Sequence, residues 1–139
     1  MKLRVETGIK PTESRQKVET AVRKIFPTLT LELVGQRLIG ESTDIASLTR
    51  FHQLLRQQAI LDTARSVMFA NKSGNATQLM LNKQAAFVGR ISFTEGESPL
   101  GPITVNLEAP DIELLIDYLA PRTRDGRPVV ELEPKSLQN

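Results

Sequence analysis

Leu3, Val5 and Thr7 alternate with Lys2, Arg4 and Glu6, the period-two pattern of a strand with one face buried. After Pro11-Thr12 the period changes. Val18, Ala21, Val22 and Ile25 fall at i, i+3, i+4 and i+7, predicting an amphipathic helix capped by Thr12 or Ser14 and stopped by Pro27. Leu29, Leu31 and Leu33 then alternate with Thr28, Thr30 and Glu32, and Gly35-Gln36 can turn the chain back over Arg37 to Ser42 as a hairpin.

Ser42, Thr43 or Asp44 supplies a cap for a long helical region opening at Ile45. At about 100° per residue, Ile45, Leu48, Phe51, Leu54 and Leu55 form one apolar stripe. Ile60, Leu61, Ala64, Val67 and Met68 form a second on nearly the opposite side. One straight surface helix cannot bury both against one core, so the pattern predicts a break near Gln57 to Ala59 and a second helix to about Ala70. A single helix sandwiched between two layers is the alternative.

Beyond the turn Asn71 to Asn75, Leu79 and Leu81 mark a strand, Gln84 to Val88 a single helical turn, and Ile91 with Phe93 a further strand. The Gly- and Pro-rich run Glu95 to Pro102 reads as loop, and Ile103, Val105 and Leu107 as strand. Pro110-Asp111 opens a last helix through Leu114, Leu115, Tyr118 and Leu119, which Pro121 ends. Six strands and four helices in mixed order predict an α+β fold, a single-layer antiparallel or mixed sheet packed by helices. The division expected is one domain over residues 1–121 and a looser tail, rich in Arg and Pro, over 122–139.

Composition narrows the chemistry. The 139 residues contain no Cys and one His, which removes disulfides, thiol nucleophiles, Cys-based zinc, iron–sulfur clusters and two-histidine metal sites. The first residues lack the apolar core of a signal peptide, and no run approaches the roughly 18 apolar residues of a membrane span. The expectation is a cytoplasmic protein with no membrane association, metal or cofactor. With 40% hydrophobic and 4% aromatic residues the core must be mainly aliphatic.

The net charge of +2 conceals an asymmetry. Residues 50–90 carry six bases (Arg50, Arg56, Arg65, Lys72, Lys83 and Arg90) and one acid, Asp62. Residues 91–119 carry six acids (Glu95, Glu97, Glu108, Asp111, Glu113 and Asp117) and no base. Either the two stretches pack together and neutralise each other, or the first forms a basic surface for nucleic acid.

The candidate reactive groups are few. His52 lies between Phe51 and Leu54 with no orienting partner nearby in sequence, which fits a histidine at the edge of the core. Asp62 can pair with Arg65 at i, i+3. Lys83 heads a turn closed by Gly89-Arg90 and can contact a phosphate, although the phosphate-loop, dinucleotide and zinc-protease motifs are absent. Arg122-Thr123-Arg124-Asp125-Gly126-Arg127 sets three arginines around an Asp-Gly turn, read as a solvated turn in preference to a clasp on a nucleic-acid backbone. No nucleophile, base and orienter assemble, so no enzyme is expected unless Asp62, Lys83 and His52 meet through the fold.

Four segments carry a resemblance: Leu54 to Arg65 (LLRQQAILDTAR), Leu81 to Ala86 (LNKQAA) with Gly89, Pro99 to Ile103 (PLGPI), and Leu119-Ala120-Pro121 with Thr123 and Gly126. Over roughly residues 2–127 the chain resembles an uncharacterised family of archaeal proteins. The resemblance implies an α+β fold similar to that of the fifth large-subunit ribosomal protein, membership of a group of RNA-binding proteins, and for some members an association with the archaeal exosome. It supplies no catalytic or ligand residues, and fold alone does not establish function.

The resulting expectation is a small RNA-binding protein in which Arg56, Arg65, Lys72, Lys83 and Arg90 contact phosphates and Gln57 and Gln58 offer hydrogen bonds to base edges. Of Phe51, Phe69 and Phe87, Phe51 is assigned to the core, so shape and backbone contact outweigh stacking. The rival is a homodimeric or protein-interaction module in which the basic stretch of one subunit meets the acidic stretch of another.

Overall fold

A computed structural model of the chain describes residues 1–96 and 99–137. Two of the eight residues of the expected 95–102 loop, including the acidic Glu97, lie outside them, as do the last two of the tail.

In chain order the elements are β1 (Lys2–Gly8), α1 (Arg15–Ile25), β2 (Leu31–Val34), β3 (Arg37–Ser42), a 3-10 turn (Ile45–Leu48), α2 (Thr49–Gln57), α3 (Leu61–Ala70), β4 (Ala76–Asn82), α4 (Lys83–Phe87), β5 (Pro102–Glu108), α5 (Ile112–Leu119), the short strands β6 (Thr123–Arg124) and β7 (Arg127–Pro128), and a 3-10 turn (Pro134–Leu137). Five strands form one sheet in the order β2-β3-β1-β5-β4. Every pairing is antiparallel, so the fold is α+β, an open antiparallel sheet packed by helices.

The alternation in β1 and β5 decides what each face does. Leu3, Val5, Thr7, Ile103, Val105 and Leu107 point to one side and are buried against the helices. Lys2, Arg4, Glu6, Thr104 and Asn106 point to the other. The outer face carries a charge ladder in which Arg4 lies opposite Glu41 at 2.9 Å and Arg37 reaches Glu6 at 3.0 Å.

Local signals start the helices. Ser14, Asp44, Asn82 and Asp111 cap α1, the first 3-10 turn, α4 and α5 by accepting from Lys17, Ala46, Ala85 and Leu114 amides. The expected break is found: α2 ends at Gln57, α3 begins at Leu61, and Ala59 between them has φ of 55°. The elbow turns the second apolar stripe inward. Phe51, Leu54 and Leu55 are buried from α2, and Leu61, Ala64 and Met68 from α3. Phe26 at the end of α1 stacks on Phe51, ring centres 5.7 Å apart.

Two expected features differ. Ile91–Phe93 is not a strand: it runs beside β4 through a single bridge, Phe93 to Leu81, flanked by hydrogen bonds from the Asn82 and Thr94 amides. The turn at Gly89 and the loop after Thr94 leave too little extended chain for a ladder. Leu29 is buried, but it precedes β2, which starts at Leu31.

After α5 the chain folds back. β6 and β7 pair through a two-residue turn, Asp125-Gly126, with φ of 54° and 78°, the mirror-image turn that Asp-Gly favours. Leu132 and Leu137 then lie partly buried against the core.

Candidate nucleic-acid interface

The 18 Lys and Arg divide evenly. Lys2, Arg4, Arg15, Arg23, Arg37, Arg56, Arg65, Lys72 and Lys83 are each in an ion pair. Among the described residues, Lys10, Lys17, Lys24, Arg50, Arg90, Arg122, Arg124, Arg127 and Lys135 make none. Four of the five bases expected to contact phosphate fall in the paired group.

Lys83 is 4% exposed, and its ammonium donates to the Gly8 and Leu100 carbonyls at 2.7 and 2.8 Å and to Glu13 at 3.0 Å. An ammonium has three N–H donors. All are taken, so Lys83 is a tie between β1, the turn leading into α1 and the chain entering β5 and has no donor for a phosphate.

Arg56 and Arg65 serve the end of α5. The last carbonyls of a helix lack intrahelical partners and carry the negative end of its dipole. Arg56 donates to Leu119 O and Tyr118 O at 2.8 and 3.3 Å, and Arg65 to Ala120 O at 3.1 Å. Arg56 also grips Glu131 with two bonds of 2.8 and 2.6 Å, and Arg65 pairs with Asp117 at 2.7 Å while covering the Phe69 ring. Their side chains are 18% and 16% exposed. Lys72 reaches Glu113 at 3.6 Å. Gln58 uses its amide on the backbone of Ile91, giving to O at 2.9 Å and accepting from N at 2.7 Å, so it too is removed from base recognition. Gln57 is exposed.

Of the five expected phosphate contacts, Arg90 alone is exposed and without an ion pair among the described residues. The pairs Arg65–Asp117 and Lys72–Glu113 join the basic and acidic stretches within one chain. Those four groups are therefore already matched before a second subunit approaches.

The bases that run counting passed over sit on α1. Glu19 pairs with Arg15 one turn before it and Arg23 one turn after, at 3.1 and 3.5 Å, neutralising one flank. Lys17 and Lys24, seven residues apart and so on one face, lie on the other flank without ion pairs. Lys17 lines a cleft of about 450 Å³ between α1 and α4, and Phe87 lines it from α4. Phe87 is 41% exposed, the one aromatic side chain among the described residues that is not buried or half-buried, and Val88 beside it is 67% exposed. Arg90 follows on the same turn. A helical projection of α1, which separates Lys17 and Lys24 from Arg15, Glu19 and Arg23, is the signal that identifies this surface in the sequence.

The single histidine sits at the edge of the core. His52 packs against Tyr118 at 4.7 Å between ring centres, and its Nε2 is buried without a partner. Burial, and then the charge of Arg56, push its pKa below the ordinary 6.5. Folded His52 therefore stays neutral where the unfolded chain takes up a proton. The stability it contributes is full above about pH 6.5 and is lost progressively as pH falls from there through the lowered folded pKa. Lowering pH from about 7.5 to about 5.5 is expected to reduce the urea midpoint, and His52→Phe, which keeps the ring contact and removes the unpaired nitrogen, to shrink that loss. Equal losses in both proteins would refute this account. Asp62, His52 and Lys83 are engaged separately, with Thr123, Tyr118 and Glu13 respectively. Among the described residues no cluster of three metal-ligating groups exists, and no helix is long and apolar enough to cross a membrane.

A family model described as RNA binding matches residues 2–109, which include α1, α4 and Arg90. The UPF0201 protein of Sulfurisphaera tokodaii is 45% identical over 136 residues, covering 94% of each chain, and that of Aeropyrum pernix is 42% identical over 138 residues, covering 94% of this chain and 92% of its own. The crystal structure of a UPF0201 protein from Methanococcus jannaschii superimposes with a TM-score of 0.84 at 34% identity, covering 94% of this chain and 100% of that one. With the family model and full-length relatives in agreement, the chain belongs to the archaeal UPF0201 family, within the family described as RNA binding.

Proposed function

We propose that this protein binds RNA along the α1–α4 cleft, with Phe87 as a stacking platform and Lys17, Lys24 and Arg90 as phosphate contacts. The observation that carries the reading is the exposed Phe87 ring lining one cleft with Lys17, which makes no ion pair among the described residues. Apolar rings are normally buried, and an exposed one flanked by cations offers a base both a π-face and backbone neutralisation. The match of residues 2–109 to a family described as RNA binding supports RNA as the ligand. The open face of the sheet is a weaker candidate, because Lys2, Arg4 and Arg37 are held by Glu41 and Glu6 and the face carries no aromatic ring.

The test is fluorescence anisotropy with a labelled single-stranded RNA across a salt series. Phe87→Ala is expected to weaken binding about tenfold or more, since stacking on one aromatic contributes about 1–3 kcal/mol per base. Lys17→Ala and Arg90→Ala are each expected to flatten the plot of log affinity against log salt by about 0.7, the value for one phosphate contact on a single strand. All three side chains are exposed, so circular dichroism should report an unchanged fold. Variants that are folded and bind like wild type would refute the assignment.

A further inference from the structure

We infer that RNA held in the α1–α4 cleft continues across the α2–α3 elbow onto the β6–β7 hairpin, where Arg122, Arg124 and Arg127 hold its backbone phosphates. This rests on the cleft reading above and extends it to a surface beyond the part of the chain matched by the family model, residues 2–109.

The hairpin is unusual in its charge. Its register sets Arg124 directly opposite Arg127. Like charges facing each other across a strand pair destabilise it. Neither they nor Arg122 make an ion pair among the described residues, and all three are exposed. Three nearby carboxylates are engaged, Asp62 accepting from the Thr123 hydroxyl at 2.7 Å, Asp117 from Arg65, and Glu131 from Arg56, whereas Asp125 in the turn makes no ion pair among the described residues. With three arginines against the single Asp125, the hairpin is a guanidinium fork that keeps a net charge of +2 over residues 122–127, by count of its residues. A phosphodiester, with paired anionic oxygens, is the group this fork geometry suits.

The hairpin is also held in place. The Asp62–Thr123 bond fastens it to the start of α3, and the Val129 amide donates to Arg122 O at 2.8 Å. At the other end of the elbow Gln58 is bonded to both backbone groups of Ile91, next to Arg90. Residues 58 and 62 are four chain steps apart, at most about 14 Å. The elbow therefore runs from the Arg90 segment to the arginine fork over the length of a few nucleotides.

The experiment compares labelled oligouridylates of about 5 and about 12 nucleotides, within the range of site sizes for single-strand binders. It uses wild type, Phe87→Ala, the triple Arg122→Ala/Arg124→Ala/Arg127→Ala, and the triple lysine variant. Wild type is expected to gain affinity and salt dependence on the longer RNA. The alanine triple should lose that gain, flattening the salt slope by about 2, which is about twentyfold between 50 and 200 mM salt. It should match wild type on the short RNA, and the lysine triple should restore the slope. If the alanine triple equals wild type on the long RNA while Phe87→Ala weakens both, the fork is not part of the path and the cleft reading stands. If Phe87→Ala changes neither length, the cleft reading fails and the continuous track fails with it.

Discussion

Lys83→Met is expected to destabilise the protein by about 3–5 kcal/mol, the range for removing one partner of a buried ion pair. Methionine replaces most of the lysine stem, so the loss comes from what remains: two backbone carbonyls, those of Gly8 and Leu100, and the Glu13 carboxylate, itself 9% exposed. Glu13 and Leu100 line the α1–α4 cleft, and water entering there places the loss toward the lower end of that range. Adding Glu13→Gln should return part of the loss, because a neutral amide is cheaper to leave buried than a charge. Urea denaturation of wild type, the two single variants and the double variant measures the coupling directly. A Lys83→Met protein within about 1 kcal/mol of wild type would contradict the role assigned here.

Arg56→Ala is expected to cost about 2–4 kcal/mol, from the loss of several charge-assisted hydrogen bonds that do not add independently. Two effects combine. The carbonyls of Tyr118 and Leu119 lose the cation that terminates α5, and Glu131 loses its bidentate partner. Arg56→Lys should recover only part, since an ammonium cannot reproduce the planar fork. The side chain of Glu131 is 46% exposed, so Glu131→Gln should be much milder. The hydrogen bond from Arg56 holds the Glu131 pKa below its ordinary value. The part of the Arg56 effect that runs through Glu131 should therefore be present at neutral pH and vanish as pH falls through that lowered pKa. Hydrogen exchange of residues 129–137 should accelerate in Arg56→Ala; unchanged protection there, with unchanged stability, would refute the docking role. Alanine at Arg56, Arg65 or Lys83 consequently tests folding before it tests RNA binding.

The elements of the fold were largely legible because each is announced locally. The alternation of Leu3, Val5 and Thr7 and the change of apolar phase between Leu55 and Ile60 are properties of neighbouring residues, and the strand and the elbow follow from them. Ile91 and Phe93 show the limit: alternation places one side chain inward, yet a strand also needs a partner of matching length. The site was legible only in part, for the same reason. Arg56, Arg65 and Lys83 meet their acids at sequence separations of 75, 52 and 70 residues. Nothing local distinguishes them from Arg90, whose charge is uncompensated. On α1, where pairing is local, the separation of Lys17 and Lys24 from the Arg15–Glu19–Arg23 ladder was present in the spacing.

The strand order has a consequence for how the protein is made. β5 lies between β1 and β4 in the sheet, and its pairing of Glu108 with Lys2 joins segments about a hundred residues apart. At ribosomal speeds of about 5–20 residues per second, β1 waits roughly 5–20 s after its synthesis for this neighbour. During that interval the nascent chain has β1 paired with β3 on one side only, and both β1 and β4 offer unpaired edges to other chains. The emergence of residues 102–108 is thus the step that covers the free edge of β1 and one edge of β4, leaving β2 and β4 as the outer strands of the sheet.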